Sequence, residues 1–271
     1  MAMRTISLAP GERLVIDQLS RKGVLPARIQ EAARDIVDAV RAGGDVALRR
    51  FCREFDGVDL ESFRVPAERV DAALEGLDAA FVAALEKAAS QIRAFHEREV
   101  AQSWFTTRED GTMLGVKVTP LAAAGIYVPG GRAQYPSTVL MNAIPAKVAG
   151  VERVVMVTPP QRDGLISAAT LAAAKVAGVD EIYLVGGAQA VAALAYGTES
   201  IPRVEKITGP GNAYVAAAKQ VVSGDVGIDM VAGPSEVCVL ADATANPMVV
   251  AADLMAQAEH DPLAACYLVT C

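Results

Sequence analysis

The strongest constraint on the fold of this chain is a change in hydrophobic pattern at about residue 122. From there on, short Val- and Ile-rich runs alternate with Ala-rich segments of helical spacing. Such alternation predicts parallel β-strands joined by helices that cover both faces of a sheet. The predicted strands are 153–158, 181–185 and 204–208, and the predicted helices are 165–177, 188–196 and 212–222.

A six-residue repeat marks two of these strand–helix units. The sequence Ala-Lys-Val-Ala-Gly-Val at 146–151 recurs at 174–179, which is 28 residues later. Each copy ends a predicted helix, turns at Gly150 or Gly178 and leads into a strand. We interpret the copies as stacked equivalent units. Two copies are fewer than the three or more that a solenoid needs.

The N-terminal third has helical rather than strand spacing. Apolar residues predict a helix over 27–42 that ends at Gly43-Gly44, with Asp45 as the cap of a second helix. A longer helix is predicted over 78–99. The segment 105–119, with Asp110-Gly111 between two short runs, predicts a β-hairpin.

Composition excludes several classes of protein. Of the 271 residues, 52% are hydrophobic, and the mean hydropathy of +0.30 is too high for a disordered chain. The net charge of −7 disfavours nucleic-acid binding. We expect no membrane association, since no apolar run reaches about 18 residues. Four cysteines without a CxxC pair favour reduced thiols and a cytoplasmic location.

Glycine-rich loops are the first candidate site. They are 125–132, 186–190, 209–212 and 232–236, and the first three are expected where strands end and helices begin. Ligands bind at that edge of open parallel sheets, where glycine lets the backbone approach a phosphate. Simple turn chemistry is the alternative for each loop. Neither GxGxxG nor a P-loop is present, so these residues predict a small anionic ligand without identifying it.

The second candidate site is Gln257-Ala-Glu-His260-Asp261. It follows Asn246-Pro247, a cap and first-turn pair that opens a helix. Gln257 and His260 share one helix face, and imidazole is a common ligand of zinc. Zinc needs more ligands than these two. The other histidine of the chain, His96, is predicted on a helix surface, so further ligands must be carboxylates or come from outside this chain.

Taken together, these motifs resemble histidinol dehydrogenases. The matching segments are GIYVPGG, VGGAQAVAALAYGT, KITGPGNAYV, DMVAGPSEV and ADLMAQAEHDP, in this order, with Arg41-Ala-Gly-Gly-Asp45-Val-Ala-Leu48 near the N-terminus. The resemblance implies an NAD- and zinc-dependent homodimer of histidine biosynthesis. Such an enzyme oxidises L-histidinol to L-histidine through the aldehyde.

The resemblance also implies roles for individual residues. Tyr127, Gln189 and Asn212 would contact NAD. The substrate-binding residues would be Ser235, Gln257 and His260, and the zinc ligands would be Gln257 and His260.

The catalytic residues of such an enzyme have no counterpart in this sequence. The family's catalytic base is a Glu–His pair, and its other zinc ligands are an Asp and a His. All four would lie beyond Cys271, the last residue of the sequence, so no catalytic residue is assigned here. We expect a truncated chain without turnover, although a natural short form is the alternative.

The expected fold is α/β, with two Rossmann-like parallel-sheet units and a helical N-terminal region. The first domain would be discontinuous, comprising 1–120 and 232–271, and 121–231 would form the Rossmann-like NAD-binding domain. Two other functions stay open. One is a related dehydrogenase of the same superfamily that acts on another small alcohol, and the other is a non-catalytic NAD-binding module.

Overall fold

The computed structural model describes residues 4–15, 25–130, 135–231, 236–259 and 264–270. They form two compact units. The sheet unit comprises residues 27–232, and the second unit comprises residues 1–26 and 233–271. Among the described residues, no helix is both long enough and apolar enough to cross a membrane.

A five-stranded parallel sheet forms the centre of the sheet unit. Its strands are β3 (Ala123–Tyr127), β4 (Arg153–Thr158), β5 (Glu181–Leu184), β6 (Lys206–Thr208) and β7 (Gly227–Ile228). Their order is β5-β4-β3-β6-β7, and each pairing is parallel. Numbered along this sheet, the order is 3-2-1-4-5, which matches five strands of the 3-2-1-4-5-6 order of doubly wound nucleotide-binding folds, so the predicted α/β class is confirmed. The order reverses between β3 and β6, which makes that edge the topological switch point.

The helices that connect these strands agree with the predicted pattern. They are α4 (Pro136–Val148), α5 (Ala168–Ala177), α6 (Gly187–Tyr196) and α7 (Ala213–Val222). Helix α5 starts three residues later than predicted, because the Ser167 side chain accepts the Thr170 N–H and caps the helix there. Strands β3, β4 and β5 are buried almost throughout, as expected when helices cover both faces of a sheet.

The N-terminal helices pack on the helices of the sheet. Helix α1 (Ala27–Phe51) lies against α6 and α7, and α3 (Ala79–His96) lies against α4 and α5. The short helix α2 (Ala67–Asp71) also contacts α5. Buried apolar residues of α1, among them Val37 and Val40, face this contact. The sheet unit thus includes the helices of residues 27–120, which the sequence analysis assigned to the other domain. The predicted domain division at residue 121 stays a prediction.

Helix α1 breaks at Gly44, as the Gly-Gly pair predicts. The predicted cap by Asp45 is wrong in its detail. The Asp45 N–H donates to Glu199 at 2.7 Å, and the Asp45 carboxylate accepts from Ser200. This residue therefore ties the helix break to the loop that follows α6.

The predicted hairpin is confirmed as β1 (Trp104–Thr107) and β2 (Met113–Val116), which pair antiparallel. All eight strand residues are exposed. His96 ends α3 half-buried, with its Nδ1 2.5 Å from Glu99 Oε2. It is thus less exposed than the surface position predicted for it.

The second unit contains another parallel strand pair. Strand β8 (Glu236–Ala241) pairs with β9 (Ala265–Thr270), and α8 (Pro247–Ala258) packs on both. The Asn246 side chain accepts the Met248 N–H, and Pro247 occupies the first helical turn, as predicted. In the described part of this unit the sheet has two strands, which agrees with parallel βαβ architecture.

The cysteines agree with the prediction of unpaired thiols as far as the structure describes them. Cys52, Cys238 and Cys266 are free, and Cys52 is buried. Cys271 directly follows β9 and lies outside the described residues.

Candidate functional site

The candidate site of the sheet unit lies at the switch point, where β3 and β6 end. Tyr127 is the last residue of β3, and Gly209 follows β6. A Cβ atom on Gly209 would lie 2.1 Å from the Tyr127 carbonyl oxygen, and the Gly209 φ angle is +115°. Both values require glycine, because another residue would push the two strand ends apart. The glycine loop thus brings the carboxyl ends of two strands together.

The Tyr127 side chain reaches the start of the next helix along this edge. Its hydroxyl oxygen accepts the Gly187 N–H at 3.0 Å, where α6 begins. This is its one hydrogen bond within the described part of the chain, so the hydroxyl proton is available to a ligand. Burial raises the pKa of Tyr127 to about 12, and the phenol stays protonated at neutral pH.

Gln189 is the second predicted nucleotide contact, and it is 1% exposed. Its Oε1 atom is buried and has no hydrogen-bond partner among the described residues. A Cβ on Gly187 would lie 2.6 Å from that oxygen, and the Gly187 φ angle is +66°. Glycine at this position therefore leaves room for the Gln189 amide. An unpaired buried acceptor is costly unless a ligand supplies a donor.

Asn212, the third predicted contact, caps α7. Its Oδ1 atom accepts the N–H groups of Tyr214 and Val215 at 3.0 and 3.1 Å. The side chain is exposed, and its amide nitrogen makes no hydrogen bond within the described residues. One end of Asn212 is therefore structural, while the other can donate to a ligand.

The prediction missed an ion pair that holds the Gly209 loop, in which the lysine is buried and the aspartate is partly exposed. Lys219 is 2% exposed, donates to the Gly209 carbonyl at 2.8 Å and pairs with the Asp229 carboxylate. Asp229 Oδ2 in turn accepts the Gly209 N–H at 2.9 Å. A sequence signal was available, since Lys219 lies four residues after Val215 and three before Val222 on the apolar helix face. A lysine there needs a buried partner.

The other candidate residues belong to the second unit. Gln257 is half-buried near the end of α8, and its Nε2 atom is buried without a hydrogen-bond partner in the described residues. Ser235 and His260 lie outside the described residues. Within the described ranges, no cluster of three or more His, Cys, Asp or Glu could hold a metal ion. The zinc pair therefore stays a prediction.

The fold and its site define a doubly wound α/β protein whose polar groups for a ligand lie at the switch point. The family model of histidinol dehydrogenase matches residues 19–271. This chain belongs to the histidinol dehydrogenase family, as its motifs predict.

Individual relatives agree with this family. The chain is 53% identical over 270 residues to the histidinol dehydrogenase of Bacillus subtilis, and this match covers 100% of the chain and 62% of the relative. It is 57% identical over 243 residues to that of a Synechococcus strain, covering 89% of the chain and 56% of the relative. The chain thus spans about three fifths of the length of these relatives.

A solved structure is also similar. The crystal structure of histidinol dehydrogenase from Elizabethkingia anophelis has a TM-score of 0.82 and 40% sequence identity to this chain. The match covers 89% of this chain and 56% of that chain.

Proposed function

We propose that this chain contributes the NAD-binding part of an enzyme that oxidises L-histidinol to L-histidine. The observation that carries the proposal is the pair of ligand-ready groups at the switch point, the Gln189 Oε1 atom and the Tyr127 hydroxyl proton. NAD presents hydroxyl and amide donors together with acceptor oxygens, so it fits both groups. Bound there, it would accept the hydride of each oxidation.

The roles of the remaining residues are part of the same proposal. Asn212 would donate its free amide to NAD while its carbonyl oxygen holds α7. Ser235, Gln257 and His260 would bind the substrate. The amide oxygen of Gln257 and the imidazole of His260 are suitable zinc donors. The unpartnered Gln257 amide fits such a role, because amide oxygen and nitrogen are assigned from their partners. Zinc would supply positioning of the substrate and charge stabilisation.

Tyr127 and Gly187 would orient the nucleotide rather than move a proton. The raised pKa of Tyr127, caused by burial, keeps the phenol a hydrogen-bond donor throughout the neutral range. Its oxygen is already held by the Gly187 N–H. Since the family's Glu–His base and its other zinc ligands match no residue assigned in this chain, we propose that the 271 residues alone bind NAD without turnover. A cytoplasmic location and a homodimer remain predictions of the same kind.

The test measures NAD binding and NADH formation separately. Calorimetry on the purified 271-residue chain should detect NAD, and binding should weaken in Gln189→Leu. With histidinol and zinc added, NADH should not accumulate. Robust NADH formation would contradict the absence of turnover and require a base within this sequence. Absence of NAD binding by a folded chain would contradict the proposed function itself.

Two alternatives are separated by further measurements. A non-catalytic nucleotide-binding module is favoured by one observation, since Tyr127, Gln189 and Asn212 all lie in residues 27–232. It predicts NAD binding without zinc-dependent binding of histidinol. A related dehydrogenase would instead oxidise other amino or sulfonated alcohols faster than histidinol when the complete gene product is assayed.

A further inference from the structure

The segment between α1 and the next helix contains an acidic residue in an uncommon turn. Residues Cys52–Asp56 form one turn of π-helix directly after α1, and the Gly57 N–H closes it onto the Cys52 carbonyl. Single π-turns are rare and frequently occur at functional sites. The turn folds the Asp56 side chain back beside the buried Cys52 thiol.

Asp56 pairs with no cation among the described residues. Its Oδ2 atom is buried and lacks a hydrogen-bond partner in the same ranges. The arginines nearby in sequence are used elsewhere: Arg49 donates to backbone carbonyls, and Arg53 lies 3.6 Å from Asp59. The Cys52 thiol is its side-chain neighbour, and burial raises the pKa of that thiol to about 12, so the thiol stays protonated. One carboxylate oxygen is left to accept a hydrogen bond.

Asp56 lies near the edge of the sheet where the parallel strands end. Two residues later, Val58 Cγ1 lies 3.4 Å from a Cβ built on Gly164, in the loop after β4. Further along, the Phe63 carbonyl accepts an N–H of β5 at 2.8 Å. After burial and the Gly187 hydrogen bond, the Asp56 carboxylate also contributes to the shifted pKa of Tyr127. Asp56 is therefore near Tyr127, on the side of β4 and β5.

The ligand chemistry follows from charge. An ionised carboxylate only accepts hydrogen bonds and repels phosphates, so in a dinucleotide it suits a ribose hydroxyl. In doubly wound folds, an acidic residue downstream of the first strand binds the 2′-hydroxyl of NAD. Here the residues after β4 are Pro159 and Pro160, which are uncharged. No acidic residue therefore stands directly after β4, where the motif usually places it.

We propose that the Asp56 carboxylate accepts a hydrogen bond from the 2′-hydroxyl of the adenosine ribose and thereby selects NAD over its 2′-phosphorylated form. This inference rests on the proposed function and adds a specificity residue to it. In this chain the acidic residue would come from the π-turn after α1, whereas in the usual motif it follows the second strand of the parallel sheet, which is β4 here. A 2′-phosphate would meet the same carboxylate with like charge.

The test combines protein and ligand changes. NAD, its 2′-deoxyadenosine analogue and NADP are titrated by calorimetry into the unaltered chain, Asp56→Asn and Asp56→Ala. Asp59→Asn is the matched control, since Asp59 is exposed and paired with Arg53. The unaltered chain and the control should bind NAD about 10- to 100-fold more tightly than the 2′-deoxy analogue. Asp56→Ala should bind NAD and the 2′-deoxy analogue with equal affinity, and its preference for NAD over NADP should shrink.

The outcomes separate the two proposals. If the unaltered chain binds NAD and its 2′-deoxy analogue equally, the inference is overturned while NAD binding stands. The same holds if Asp56→Ala keeps the full discrimination. If the unaltered chain binds no NAD, the proposed function fails and takes the inference with it. Because the ligand comparison uses the unaltered chain, it decides the question even if a variant fails to fold.

Discussion

Two ionisable side chains near the same sheet edge differ in how their charge is satisfied. Lys219 is buried with the Asp229 carboxylate and the Gly209 carbonyl as partners. Asp56 has one buried oxygen without a partner among the described residues. A paired charge fixes a loop, whereas an unpaired acceptor is a group that a ligand can use. We therefore distinguish residues that hold the site in place, such as Lys219, from residues proposed to bind a ligand, such as Asp56.

The largest expected effect is on the paired side. Lys219→Met should destabilise the sheet unit by about 1–3 kcal/mol, because it removes the donor to the Gly209 carbonyl and the cation beside the partly exposed Asp229 carboxylate. The matched control is Lys175→Met, since Lys175 pairs with Asp71 on the surface and should contribute less than about 1 kcal/mol. Urea unfolding followed by circular dichroism measures both. Equal midpoints for the two variants would show that burial does not distinguish these pairs.

A smaller effect of opposite sign is expected at Asp56. Burial raises the pKa of Asp56 from 3.8 to about 6, so the folded state binds a proton more readily than the unfolded state. Stability contributed by this group is therefore gained as the pH falls through 6 towards 4, and it is absent above pH 6. Asp56→Asn should raise the free energy of unfolding at pH 7.5 by about 1 kcal/mol after allowance for solvent screening.

Thermal unfolding from about pH 5 to pH 8 measures this difference. The gain of Asp56→Asn over the unaltered chain should shrink as the pH falls. A loss of stability in Asp56→Asn at the upper end of this range would contradict the view that this oxygen lacks a partner. It would place Asp56 with Lys219 among the residues that build the site.

An effect of similar size is expected at Asn212, which combines both kinds of group. Asn212→Ala removes the cap of α7 and should cost about 1 kcal/mol, whereas Asn212→Ser retains a good cap residue. If the free amide donates to NAD, both variants should lose NAD affinity to a similar degree, by about 5- to 10-fold. Calorimetry and thermal unfolding on the two variants separate the roles. Normal NAD affinity in Asn212→Ser would leave only the structural role.

Local patterns were sufficient to predict much of the fold. The repeated Ala-Lys-Val-Ala-Gly-Val segments end α4 and α5 in the same way, since the N–H groups of Val151 and Val179 donate to Ala146 and Ala174 at 3.0 Å in each. These bonds join residues close in sequence, so the sequence carries them directly. The parallel strands were predictable for a similar reason, because burial on both faces leaves a continuous apolar run.

The candidate site was predictable only in part. Tyr127, Gln189 and Asn212 were predicted as NAD contacts because they lie in motifs shared with the family, and these roles stay predictions. The partners that explain them were missed. The link from Tyr127 to Gly187 and the pair of Lys219 with Asp229 join separate elements of the fold, and no local pattern records such pairing.

By itself, the sequence determined the alternation of strands and helices, the break of α1 at Gly44 and the family to which the chain belongs. These depend on periodicity, on glycine and on motifs of consecutive residues, all of which are local. Only the tertiary structure decided that α1 and α3 pack on the helices of the sheet, and that Lys219 is paired while the buried Asp56 oxygen has no partner in the described residues. Burial and pairing of charges are properties of the assembled fold, because they depend on which distant residues surround each side chain.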